Sequence, residues 1–113
     1  MSNTEPQGVD EFPLTEGTAR QIINNLAEHH TNRIRWSKHV KERMQERDVT
    51  TGQILTLLKS RYSVFREGPY QETNGDWKFN LKGMAAGTMI ELAVALKNHQ
   101  HSPSSVLVTV WIS

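Results

Sequence analysis

The spacing of apolar residues changes once along this chain of 113 residues, and that change limits the folds open to it. Before Ser60 they recur every third or fourth position, the period of helices packed on one side. From Tyr62 onward they recur at every second position, the period of strands with one buried face. Helices first and strands afterwards, with short connections, indicate an α+β domain. The expected architecture is N-terminal helices packed on a four-stranded antiparallel sheet.

The first helix is predicted from about Thr18 to His30. Thr18 and Gln21 have capping-box spacing, Ile22, Ile23, Leu26 and Ala27 supply a core stripe, and His29-His30 suit a helix C-terminus. The second runs from Ser37, a suitable N-cap, to Arg47. The third starts at Thr50, where Thr50 and Gln53 repeat the capping-box spacing, and presents Ile54, Leu55, Leu57 and Leu58. Tyr62 to Arg66 is the first predicted strand, with turn signals at Gly68-Pro69 and Asn74-Gly75-Asp76. Trp77 to Lys82 alternates, Gly83 to Gly87 reads as a hairpin loop, and Ile90, Leu92, Val94 and Leu96 face inward on the third strand. After a polar loop from Asn98 to Ser104, Val106, Val108, Val110 and Ile112 are predicted inward, with Leu107, Thr109 and Trp111 on the other side.

Residues 1–17 read as a flexible acidic N-terminal tail, with little beyond Val9, Phe12 and Leu14 to bury. Residues 18–113 form the single predicted domain. The net charge of +1 hides an asymmetry: residues 1–30 carry −4, whereas nine bases face three acids between Arg33 and Arg66. Such a basic segment attracts phosphates or an acidic protein, or is a solvated, partly paired surface. The absence of cysteine excludes disulfides, thiolate metal sites and thiol nucleophiles. No apolar run approaches the ~20 residues that span a bilayer. The N-terminus lacks the basic and apolar regions of a signal peptide, so the expectation is a soluble, cytoplasmic protein. His29, His30, His99 and His101 lack a nearby cysteine or carboxylate to complete a ligand set, and neither a metal nor a cofactor is expected.

Chemistry concentrates in the second helix. Trp36, Val40 and Met44 form its apolar stripe, with Arg43 and Arg47 to either side and His39 just beyond Arg43. Guanidinium groups so placed either snorkel to water, pair with a carboxylate such as Glu67, Glu72 or Glu91, or hold an anion. His39 lies in the first turn, where the helix dipole favours the neutral imidazole that serves as a base; the competing and more ordinary reading is a surface histidine. On the strands, Lys78, Asn80 and Lys82 share a face with Glu91, Thr109 and Trp111. That face is either plain solvent surface or a platform with a stacking aromatic.

The run His39-x-x-x-Arg43-Met44-x-x-Arg47-x-Val49-Thr50, with Trp77-Lys78-Phe79-x-x-x-Gly83 and Val108-Thr109-Val110-Trp111, resembles an uncharacterised DUF-type family of small bacterial and phage proteins. That family is similar to RelE/BrnT-like ribonuclease toxins, whose wider group includes barnase-like and colicin-like enzymes. Over roughly residues 34–113 the resemblance implies a RelE/barnase-like fold and metal-independent RNA cleavage. Carried over, His39 is the acid/base, Arg43, Arg47 and Lys78 hold the scissile phosphate, Thr109 positions it, and Trp111 stacks a base. Asn80 joins them as a substrate-binding residue. The implied partners are RNA and a cognate antitoxin. The low net charge and the acidic extension depart from the pattern. The competing reading is a non-catalytic interaction or regulatory module of a bacterium or phage, with structural arginines.

Overall fold

A computed structural model describes Pro6 and residues 8–112. Helix α1 spans Glu16–His29, strand β1 Ile34–Trp36, helix α2 Lys38–Arg47 and helix α3 Thr51–Lys59. Strands β2 (Val64–Gln71), β3 (Trp77–Ala85), β4 (Thr88–Lys97) and β5 (Ser104–Ile112) follow. The sheet has five strands in the order β1-β5-β4-β3-β2. It is mixed, because β1 runs parallel to β5 while the other pairs are antiparallel. The expected four-stranded antiparallel sheet therefore gains a fifth, parallel edge strand. Three residues are too few for a period of two to declare itself, which is why β1 escapes a sequence reading.

Each α-helix begins at a side-chain cap. Thr15, not Thr18, caps α1: its hydroxyl accepts from the Thr18 N–H, and the helix starts two residues earlier than expected. Ala19, Ile22, Ile23, Leu26 and Ala27 then recur at helical spacing and are all buried. Thr50 and Gln53 close the capping box of α3, whose Ile54, Leu57 and Leu58 are buried. Helix α2 differs, because only Val40 is fully buried. It leaves the sheet at Ser37, whose backbone N–H donates to the Leu107 carbonyl and whose hydroxyl donates to the Val108 carbonyl at 3.1 Å. The same hydroxyl accepts from the Val40 N–H and caps the helix.

Helices α1 and α3 pack on each other, α3 against β3 and α1 against β2. Facing them are Trp77, Phe79 and Leu81 of β3 and Ile90, Leu92, Val94 and Leu96 of β4, all buried. On β5 the inward residues are Ser105, Leu107 and Val110 rather than an unbroken alternate series. Ala93 pairs with Thr109 while Val94 pairs with Leu107, so Val108 is an extra residue that reverses the facing of the strand. Val106 and Val108 are only half-buried, and Leu107 turns inward instead.

Gly68-Pro69 is likewise no turn but lies within β2, which slips register twice, at Arg66 and at Gly68-Pro69. Gly68 has φ +73 there, and a Cβ would meet the Lys78 carbonyl at 2.3 Å, so glycine alone fits. The β3–β4 connection contracts to Ala86-Gly87, both at positive φ, as a two-residue hairpin with right-handed strand twist requires.

Residues 8–15 lie against the end of the sheet. The Val9 N–H donates to the His99 carbonyl, and the ring of buried His99 donates to the Glu11 carbonyl at 3.0 Å. Phe12 meets Trp77 edge-on, Leu14 is buried in the core, and a Cβ on Gly8 would collide with the Gln100 carbonyl. The Glu11 carboxylate accepts from the Thr15 N–H and from the hydroxyls of Thr15 and Thr18. No helix among the described residues is long and apolar enough to cross a membrane.

Two outcomes are expected. Ser37→Ala removes both the cap and the bond to Val108, and should cost about 1–2 kcal/mol in urea unfolding; an unchanged midpoint would contradict this account. The hydrogen bond from the Thr15 N–H, followed by those from the threonine hydroxyls, holds the Glu11 pKa below its ordinary value of 4.5. Its contribution is therefore full above pH 4.5 and is lost as pH falls through the lowered pKa. Glu11→Gln should flatten that part of the acid limb of the stability curve, read from chemical unfolding across pH 3 to 6.

Candidate functional site

The sheet has one face under the helices and one that α1 and α3 leave open. Register fixes what the open face carries. Lys82 pairs with Glu91, and Glu91 with Trp111. Asn80 pairs with Ala93, and Ala93 with Thr109. Lys78 pairs with Ala95, Ala95 with Val106, and Val106 with Arg35 of β1. Directly opposed side chains in such rows lie about 4.5–5.5 Å apart at Cβ. Lys78, Asn80, Thr109 and Trp111 therefore share one surface, as alternation along the strands suggests. The phase reversal at Val108 keeps Thr109 and Trp111 on it. Ala93 and Ala95 form a low floor between longer neighbours on β3 and β5.

The polar groups on this face are largely engaged with one another. Lys78 Nζ is 3.4 Å from the Glu72 carboxylate. The Asn80 amide donates to Glu67 at 3.2 Å and to Glu91 at 3.3 Å, bridging two carboxylates. Glu67, Glu72 and Glu91 thus answer β3, and not the arginines of α2. Glu67, Tyr70 and Arg35 are neighbours on this face that the sequence reading did not place there. Glu67 pairs with Asn80 only after the first slip in β2 and Tyr70 with Lys78 only after the second, and the slips hide their phase. Arg35 lies at the centre of β1, whose three residues are too few to read as a strand.

The second group lies on α2, which packs beside β5. His39 is exposed near the helix N-terminus. Arg43 is half-buried and pairs with Glu46 one turn on, at 3.2 Å. Arg47 is exposed rather than set at the apolar margin, and makes no hydrogen bond or ion pair among the described residues. An edge helix with a single fully buried residue offers too narrow a stripe to draw it in. No hydrogen bond or ion pair among the described residues joins His39, Arg43 or Arg47 to Lys78, Asn80, Thr109 or Trp111. Nor does any group of three His, Cys, Asp or Glu among those residues have the arrangement to hold a metal ion.

The arrangement offers an aromatic plane, hydroxyl and amide groups and charges of both signs on one sheet face, bordered by a basic helix. The Asn80 bridge makes a specific test available. Asn80→Asp places a third carboxylate between Glu67 and Glu91, and their repulsion raises the carboxyl pKa values of the folded state. The stability loss should be about 1–2 kcal/mol at pH 7 and shrink toward pH 4 as the folded state takes up protons. Urea unfolding of both proteins at the two pH values reads it; an equal difference at both would refute the bridge.

Residues 36–112 match the model of a family described as a domain of unknown function, DUF4258. No curated protein and no solved structure matches the chain. The matched stretch opens at the last residue of β1 and closes at the last residue of β5, so it holds α2 and nearly all of the open face. Helix α1 and Arg35 lie outside it. With well over half of its length matched, the chain belongs to the DUF4258 family.

Proposed function

We propose that the chain is a RelE-like RNA-acting protein, the toxin of a toxin–antitoxin pair, that cleaves RNA through its 2′-OH without a metal. The observation that carries this reading is the open sheet face, where Trp111, Thr109, Asn80 and Lys78 share one surface beside the basic helix α2. A base stacks on Trp111, Thr109 and Asn80 bond the sugar-phosphate, and Lys78, Arg43 and Arg47 surround the scissile phosphate. His39 moves the proton of the 2′-OH or of the leaving 5′-oxygen, and the cations stabilise the charge that builds on phosphorus. His39 is exposed, so bound RNA itself excludes water from it. RNA must span β5 to touch both groups. The reading places the protein in the cytoplasm with a cognate antitoxin as partner.

A second reading has support of its own. Lys78 and Arg43 already hold carboxylates without any ligand, as structural cations of a non-catalytic interaction or regulatory module would. The two readings divide on one experiment. Wild type and His39→Ala are expressed from a tight promoter, and growth is followed together with bulk RNA integrity. The ribonuclease reading expects growth arrest and RNA fragments with wild type, and cleavage reduced about 10²–10⁴-fold by the substitution. Folded wild type that leaves growth and RNA intact would sink it in favour of the module.

A further inference from the structure

A further feature lies at the end of the same open face, where the start of β2 meets the β3–β4 hairpin. A cleft of about 560 Å³ opens there, walled by Tyr62, Val64, Met84 and Met89 and rimmed by Arg66 and Lys82. Tyr62 is 92% exposed, Met84 57% and Val64 56%. Large apolar side chains left in water and gathered round one cleft mark a surface that is covered in use. Two of the four are methionines, whose unbranched side chains adapt to varied guests.

The edge of the sheet adds direction. Strand β2 pairs only with β3, so its other side is open. Beyond Gly68 the edge is guarded, because Pro69 has no N–H to offer a new strand. Val64 to Glu67 carries no proline, its one irregularity being the slip at Arg66, and this half borders the cleft. Charge then selects the occupant. Arg66 and Lys82 make no ion pair or hydrogen bond among the described residues, whereas Lys78, Lys97 and Arg43 each hold a carboxylate. A second copy docked about a two-fold axis would bring these cations against their own counterparts. Tyr62 is the one wall on which a nucleobase could stack, whereas Val64, Met84 and Met89 offer no plane and the strand edge beside them suits a peptide.

We propose that this cleft and the adjoining edge of β2 bind an extended, acidic, apolar segment of a partner protein. The segment adds a strand along Val64–Glu67, seats an apolar side chain between Tyr62 and Met84, and places carboxylates on Arg66 and Lys82. The site stands whether or not the chain cleaves RNA.

The test pans a library of short displayed peptides against the full chain. Enriched peptides are then synthesised, and their affinity is measured for wild type, Met84→Glu and the double variant Arg66→Glu, Lys82→Glu. Each variant is first shown by circular dichroism and thermal melting to be folded; Met84 and Arg66 are exposed and Lys82 is half-buried. The expected winners are net negative with apolar residues at alternate positions, and lose about tenfold or more in affinity on either variant. Their binding weakens as salt rises. Neutral or basic winners, winners indifferent to both variants, or no enrichment would overturn the proposal. So would two controls: a fluorescent single-stranded RNA that binds wild type and is lost on the double variant where no peptide is enriched, or a wild-type dimer abolished by Met84→Glu.

Discussion

The extra residue at Val108 is the constraint on which the rest of the structure turns. β5 pairs with β1 on one side and β4 on the other, so a reversal of facing there is felt on both. Before Val108, Leu107 enters the core; after it, Val110 does. At that same point β1 ends, and Ser37 takes the carbonyls of Leu107 and Val108. The parallel strand cannot follow a partner that has changed face, and the chain converts to α2 instead. The helix then lies beside the remainder of β5. One inserted residue thus sets where the parallel pairing stops, where a helix starts, and which face receives Thr109 and Trp111.

The sheet separates two kinds of physical work. Its inner face buries aromatic and aliphatic side chains under α1 and α3, where each fully buried Leu, Ile or Phe contributes about 1.5–3 kcal/mol. Its outer face is polar and held by pairs near the surface, which contribute little to stability and much to pattern. Helix α1 supplies five buried residues to the inner side yet lies outside the stretch that matches the family. The core of this chain is therefore completed by residues that the family pattern does not include.

Sequence reading succeeds where one physical signal dominates. The Thr50–Gln53 box, the Ser37 cap and the alternation from Trp77 to Lys82 each leave one local solution, and each stands in the structure as read. It fails where two solutions share a signature. Thr15 and Thr18 are three residues apart and both can cap; the Glu11 carboxylate, bonded to both, is the neighbour that a capping rule omits. Gly68-Pro69 has turn chemistry, but the same positive φ serves a bulge inside a strand. In β5 four aliphatic residues at alternate positions support an unbroken inward face, and nothing local reveals that Val108 is surplus. Of the candidate site, membership of the open face was legible for Lys78, Asn80, Thr109 and Trp111. The bond from Asn80 to Glu67 was not, because it depends on the slipped register of β2.

Ser37 and Val108 are separated by 71 positions in sequence. During synthesis α2 therefore emerges long before the residue that anchors its first turn, and β1 before the strand it pairs with. Sheet order makes this general: the last strand made lies between the first and the fourth. Until β5 arrives, β4 has no partner on that side and β1 belongs to no sheet. Strand β5 closes the structure rather than extending it, and its emergence from the ribosome becomes the event that commits the preceding elements to their fold.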